Sequence, residues 1–404
     1  MTRDTNTERF EAEGVKLVDE ALLPGGPGRA PHLSAVLASA LTFDRAACQY
    51  PTADPLQNCP SGTLLVGPTG NFSTIQSAVL SLPNDTTPYI ILVEAGNYTE
   101  QVNVTRPGPL YLLGQTSAPN DRTQNRVVVY WAAIAGTGDN AYTSTLTVAP
   151  TLNASLTGAG PTGNPVPPGT PFGNTDFRVY NIDFINDYAP YSVSPSLAVS
   201  VSYANTGFYY TGFYSYQDTV YIGKLGNAYF YDSEVAGQTD FFYGFGTAWI
   251  QSSQVTLRGC GGGVTAWKGT NTTFENKYGV YIHDSAVIKA NNSLSIAGEC
   301  ALGRPWNAQM RAIFANNYLD DSIRPAGYIE WQSTDTRINN NTTMAEYYDV
   351  GPGFNLTGRL DGGVTTLLSP WEYEPYSSVE KVFQYPFSGK YGNVGWIDTA
   401  PWSG

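Results

Sequence analysis

FYYTGF (208–213) returns 22 residues later as FYDSEV (230–235), and the same design recurs along the chain. VYNIDF (179–184) precedes the two, and IQSSQV (250–255), IHDSAV (282–287) and FANNYL (314–319) follow them. Each hexapeptide is apolar at both ends and mostly small and polar near its middle. The steps between their first residues are 29, 22, 20, 32 and 32. A strand-and-turn unit that recurs with variable insertions is the mark of a solenoid, because one coil cannot bury its apolar face alone and stacked coils share a core. A β-sandwich of many short strands is the competing reading. The recurrence favours an all-β parallel β-helix.

Working outward, residues 46–404 read as one such domain. GNFSTIQSAVLSLPN (70–84) carries a short helix near the N-terminal end, with Ile75, Ala78, Val79 and Leu82 at helical spacing, Ser73 or Thr74 as cap and Pro83 as stop. PYIILVEAGNYTEQVNV (88–104) reads as a buried strand, a turn at Ala95-Gly96-Asn97 and a second strand. A Pro/Gly-rich stretch within 150–175 reads as a surface loop, and the aromatic- and proline-rich 370–404 as a C-terminal cap. Residues 1–45 are an extension of mixed character. PHLSAVLASALTF (31–43) looks like a signal core, but the charged stretch before it is not that of an ordinary signal. Either the true start lies downstream or the segment is an amphipathic helix.

Charged residues make up 14% of the chain, against roughly 25% in ordinary soluble domains. The net charge of −13 excludes a basic nucleic-acid footprint and implies repulsion from polyanions that are not masked. No run reaches the roughly 18 apolar residues of a membrane helix. Sequons at Asn71, Asn84, Asn97, Asn103, Asn153, Asn271, Asn291, Asn340, Asn341 and Asn355 favour a secreted, extracellular glycoprotein. Four cysteines allow three pairings, of which sequence proximity favours Cys48–Cys59 and Cys260–Cys300. None has metal-ligand spacing.

Two aspartates sit among strand-forming residues, Asp218 in YSYQDTVYIG (214–223) and Asp240 in VAGQTDFFYGFG (235–246). Each lies five residues past the end of its hexapeptide, so the two share a phase on consecutive coils. Same-phase residues of a parallel sheet lie about 4.8 Å apart. Two carboxylates that close do not both ionise easily, which yields one nucleophile or base and one proton donor. The bland reading is a solvated Asp ladder. The geometry alone does not name the bond, since carboxylates about 5–5.5 Å apart also describe a retaining glycosidase. ECALGRPWNAQM (299–310) adds Arg304, able to hold one carboxylate ionised, and Trp306, a flat face for a sugar ring.

Together these segments resemble the pectin methylesterases, the pectinesterase family of carbohydrate esterases, in order over roughly 63–360, and look closest to a fungal, secreted branch. GNFSTIQSAV and EAGNYTEQVNV are similar to the family's opening signature. YQDTVY is similar to its Gln-Asp-Thr motif, GQTDFFYG to its Asp-Phe-x-Phe-Gly motif, ALGRPW to its Leu-Gly-Arg-Pro-Trp box, and AEYYDVGPG (345–353) to its Gly-Pro-Gly element. The resemblance implies a right-handed parallel β-helix acting on methyl-esterified pectin as a monomer, without metal or cofactor. It implies Asp240 as nucleophile, Asp218 as general acid and then base, Gln217 as oxyanion donor, Arg304 as the partner of Asp240, and Trp306, Tyr243 and Phe241 as substrate contacts.

Three departures stand out. The family's second glutamine has no counterpart in SPSLAVSV (194–201), for which Gln238 is a candidate replacement, though a structural role suits it too. Tyr243 stands for Phe, and in VTAWKGT (264–270) Trp267 and Lys268 replace the usual Gln-Gly. A catalytically silent galacturonan-binding β-helix and a galacturonan-cleaving β-helix enzyme are the alternatives. The second is weakened because the chain holds only two histidines, and His283 reads as an outward strand residue. No Gly-x-Ser-x-Gly elbow is present for a serine esterase.

Overall fold

The computed structural model describes residues 43–158, 164–269 and 276–403. The extension read over 1–45 lies, up to residue 42, outside the described residues, as does the Asn271 sequon. The chain winds through three parallel sheets of eleven, eight and six strands, and all named strand pairs are parallel. One coil shows the plan: Asn205–Tyr209 lies in the eleven-stranded sheet, Gly212–Tyr214 in the eight-stranded sheet and Val220–Ile222 in the six-stranded sheet. The next coil repeats it as Asn227–Tyr231, Glu234–Thr239 and Phe242–Gly244. This is a parallel β-helix.

The hexapeptides are the corners between the first two sheets. Val179, Phe208, Phe230, Ile250, Ile282 and Phe314 pair in register along the long sheet. Their partners at the far end of each unit, Phe184, Phe213, Val235, Val255, Val287 and Leu319, join the same interior cluster. The third residue of each unit, Asn181, Tyr210, Asp232, Ser252, Asp284 and Asn316, takes a φ between 43° and 57°. Asn and Asp tolerate that left-handed conformation best among residues with a side chain. The fourth residue turns inward and satisfies the corner above it. Thr211 N–H donates to Ser233 Oγ, Ser233 N–H to Ser253 Oγ, Ser253 N–H to Ser285 Oγ, and Ser285 N–H to Asn317 Oδ1, at 2.9–3.2 Å. Small polar residues recur there because a buried backbone N–H needs an acceptor.

The N-terminal helix runs Ile75–Ser81, capped by Thr74. Its first free N–H groups, on Ile75 and Gln76, donate to the Glu100 carboxylate at 2.8 Å, and Ile75, Ala78 and Val79 close the interior. Two expectations need correction. Ala95-Gly96-Asn97 is not a turn: Gly96–Thr99 is a strand of the eight-stranded sheet and Val102–Val104 a strand of the six-stranded one, so the segment completes a whole coil. The tail after Pro370 does not cap the solenoid's end. It lies along the outer face of the long sheet, where Tyr373, Val382, Phe383 and Trp396 cover Tyr180, Tyr209, Tyr229, Trp249 and Tyr281. Those aromatics project outward by strand alternation and would otherwise be exposed. His283 projects from the same face, stacked on Trp249 and Tyr373. Cys48 is bonded to Cys59 and Cys260 to Cys300.

The interior column of the long sheet carries a charge one strand from its C-terminal edge. Glu346 pairs in register with Phe314 and is neutralised by Arg359, from the helix Leu356–Gly362, through Nε at 2.5 Å and Nη2 at 3.1 Å. Both side chains are fully buried, and Arg359 spends its other donors on the carbonyls of Arg324, Pro325 and Gly353. Removing one partner strands the other charge. Arg359→Met is therefore expected to cost about 3–5 kcal/mol in urea unfolding, and the added Glu346→Leu change to restore most of it.

Candidate active site

The aspartates occupy the corners between the second and third sheets. Asp218 lies between Gly212–Tyr214 and Val220–Ile222, and Asp240 between Glu234–Thr239 and Phe242–Gly244. Val220 pairs with Phe242, so the two carboxylates belong to the same phase of adjacent coils. Both residues take positive φ, 58° and 47°, which re-aims the side chain at the edge of the sheet. Their backbones stay in the coil-to-coil ladder: Asp218 N–H donates to Thr239 O at 3.0 Å and Asp240 N–H to Gly263 O at 2.7 Å. The strands on either side hold the carboxylates in place.

The two have different surroundings. Asp240 receives Arg304 in a bidentate pair, Nε to Oδ1 at 3.0 Å and Nη2 to Oδ2 at 2.7 Å, and the Gly263 N–H at 3.1 Å. Gly262 is required beside it: its φ is +64°, and a Cβ there would lie 2.3 Å from Asp240 Oδ1. Among the described residues no cation is bonded to Asp218 in this way. Its Oδ2 accepts from Asn140 Nδ2 at 3.1 Å. Burial pushes Asp218 well above the usual carboxylate range, and the nearby Asp240 charge pushes it further, against the pull of Arg304 and Lys268. Burial raises Asp240 as well, but the Arg304 hydrogen bonds and charge and the Gly263 N–H work against it. These surroundings favour the proton on Asp218 and the charge on Asp240.

Trp306 stands half-buried beside the pair, stacked on Tyr243 with ring centroids 5.5 Å apart and next to Trp331 at 6.2 Å. Arg304 lies 4.1 Å over the Trp331 ring, so this indole also holds the arginine in place. Lys268 sits between aromatic faces, 3.9 Å from the Trp306 centroid and 4.4 Å from that of Phe245, and burial pushes its amine down to about 7. Trp267, by contrast, is an interior residue that donates to Gly246 O.

Two expected substrate contacts are corrected. Phe241 is fully buried in the interior cluster, because the left-handed turn at Asp240 points the following side chain inward. Tyr243 points outward but is fully covered, packed between Tyr221 and Trp306. It is the floor beneath the tryptophan rather than a contact surface. The structure brings together Asp218, Asp240, Arg304 and Trp306, with Gln217 next in the chain to Asp218. Two residues come into the site that sequence reading passed over. Asn140 arrives from two coils earlier, ahead of Leu146–Val148, its amide shared between Asp218 Oδ2 and the Tyr243 hydroxyl at 3.3 Å. Ser192 donates its Oγ–H to Gln217 Oε1 at 2.8 Å and its N–H to Gln238 Oε1 at 3.1 Å. Neither belongs to a motif, and each reaches the site across 25 residues or more of chain.

Comparison with known proteins agrees with this geometry. The pectinesterase family model matches residues 172–382, just over half of the chain. Pectinesterase A of Emericella nidulans is 28% identical over 299 residues, covering 73% of this chain and 79% of that protein. A probable pectinesterase A of Aspergillus flavus is 28% identical over 330 residues, covering 78% and 92%. The crystal structure of the Aspergillus niger pectin methylesterase superposes with a TM-score of 0.64 at 25% identity, over 84% of this chain and 97% of that one. The carrot pectin methylesterase shares the fold, with a TM-score of 0.61 at 21% identity over 77% and 89%. The matched span contains both aspartates, Arg304 and Trp306, and the chain belongs to the pectinesterase family.

Proposed function

We propose that the chain hydrolyses the methyl esters of galacturonate residues in pectin, releasing methanol and leaving free carboxylate on the polymer. The observation that carries this reading is the asymmetric pair, Asp240 clamped by Arg304 one coil from an Asp218 that, among the described residues, no cation bonds. The Asp240 carboxylate attacks the ester carbonyl carbon and the carbonyl electron pair moves onto oxygen, where the Gln217 amide supports the charge. The oxyanion collapses, the bond to the methoxy oxygen breaks, and Asp218 passes its proton to that oxygen as methanol leaves. Asp218, now a carboxylate, takes a proton from water, and the hydroxide attacks the acyl carbon of the mixed anhydride. Collapse frees Asp240 and the galacturonate carboxyl. Asn140 occupies one oxygen of Asp218 and leaves the other to carry the proton.

Trp306, backed by Tyr243 and flanked by Trp331, offers the flat face on which a sugar ring stacks. A secreted glycoprotein is the reading of its location. It is supported by the two disulfides, by the exposure of the sequon residues Asn71, Asn84, Asn97, Asn103, Asn153, Asn340 and Asn355, and by the kinship with fungal pectinesterases. Among the described residues no helix is long and apolar enough to cross a membrane.

Methanol release from high-ester pectin tests the reading directly. Wild type is expected to release methanol and Asp240→Asn to fall to background, while an active Asp240→Asn would overturn the nucleophile assignment. The kcat/KM profile against pH should be a bell, rising as Asp240 loses its proton and falling at higher pH as Asp218 loses its own.

With a net charge of −13, the protein should also de-esterify high-ester pectin faster than low-ester pectin at low salt, and equal rates would count against that electrostatic argument.

Stability provides a further check. The folded pKa of Asp218 is raised, so above the unfolded value of about 3.9 the native chain holds a proton that the unfolded chain has lost. Stability from this group is therefore full below about pH 4 and declines as pH rises toward the folded pKa. Asp218→Asn removes that dependence. It is expected to raise Tm at pH 7 and to leave it nearly unchanged at pH 3.5, in scans at both values.

A further inference from the structure

Gln217 and Gln238 lie on adjacent coils, one residue before Asp218 and two before Asp240, and both are half-buried. The segment carrying Ser192 rests on them. Its backbone N–H meets Gln238 Oε1 and its hydroxyl meets Gln217 Oε1, while Ser196 N–H donates to the Gln217 carbonyl at 3.0 Å. A backbone N–H can only donate, so the Gln238 atom facing Ser192 is the oxygen and its NH2 is turned the other way. The Ser192 hydroxyl, which donates to Gln217 Oε1 at 2.8 Å, meets the other amide by its oxygen too. Among the described residues neither Nε2 donates to a protein acceptor, and neither is an enclosed orphan atom. One serine thus holds two carboxamides by their oxygens, one directly before Asp218 in the chain and one two residues before Asp240, and leaves both NH2 groups without a protein acceptor among the described residues.

We propose that Gln238 is a second oxyanion donor in this chain, acting with Gln217, and that Ser192 is the positioning residue for both. This rests on the esterase reading above. Charge develops on the ester carbonyl oxygen when Asp240 attacks, and donors already held in place stabilise it without reorganising. A single donor set in place by its own loop would leave no reason for the shared serine. The arrangement also gives the segment 188–193 a role. Its exposed Tyr188, Tyr191 and Val193 lie on either side of the one residue that grips both amides.

The test separates donation from loop anchoring. Gln238→Glu keeps an oxygen for the Ser192 N–H but removes the donor, and Gln238→Leu removes both. Each is expected to lower kcat about 100-fold with KM changed less than about threefold. The loss should persist across the pH profile, with Tm unchanged for the Glu variant. Ser192→Ala should lower kcat about fivefold, the worth of one lost hydrogen bond, and Ser192→Thr should restore it. Near-normal kcat in Gln238→Glu would make Gln238 a loop anchor and overturn the donor assignment. Near-normal kcat in Ser192→Ala would overturn the positioning role. Asp240→Asn is assayed beside them: if it is inactive while Gln238→Glu is active, the donor assignment alone fails. If Asp240→Asn retains activity, the carboxylate reading fails and the donor assignment fails with it.

Discussion

Every feature of this molecule depends on the backbone ladder that joins each coil to the next. Parallel pairing holds residues of equal phase one above another at about 4.8 Å, whatever length of chain is inserted between them. That constraint lines up the interior apolar residues, repeats the left-handed corner at the third position of each hexapeptide, and stacks the Thr, Ser and Asn side chains that satisfy it. It also sets Asp218 against Asp240. Two buried carboxylates would not approach one another unaided, and the ladder through Thr239 O and Gly263 O keeps them together.

The site is a local conflict that the scaffold sustains. Burial raises both carboxyl groups, the Asp240 charge raises Asp218 further, and a single guanidinium bonded to Asp240 sets the two apart. The aromatic residues around it hold the cations and one another in place. Trp331 supports Arg304, Tyr243 supports Trp306, and Lys268 is held between Phe245 and Trp306, so cation and ring positions depend on one another. The arrangement is acidic overall but cationic close to the reacting groups. This suits a substrate that enters masked and leaves charged.

Much of this was legible from residue types and spacing. The hexapeptide steps reproduce the pairing register of the long sheet, because a solenoid writes its vertical neighbours into the sequence at each coil length. The phase of the aspartates followed from the same count, and GRPW supplied Arg304. The errors came where direction or packing mattered more than pattern. Gly96-Asn97 looks like a turn but is a strand, since coil pairing overrides the local preference of Gly and Asn. The family resemblance implied Phe241 as a substrate contact, yet the residue following the left-handed corner at Asp240 turns into the interior.

The sequence alone determined what is periodic or chemically typed: the β-helix, its short N-terminal helix, the in-phase carboxylates and their arginine. These survive translation into one dimension because stacking and ion pairing act on repeated positions. Only the tertiary structure decided what reaches the site from elsewhere. Asn140 on Asp218, Ser192 between two glutamines, and the tail laid over the tyrosine face are contacts across long stretches of chain. No period or motif records them, because they depend on where a loop of given length comes to rest on coils that are already stacked.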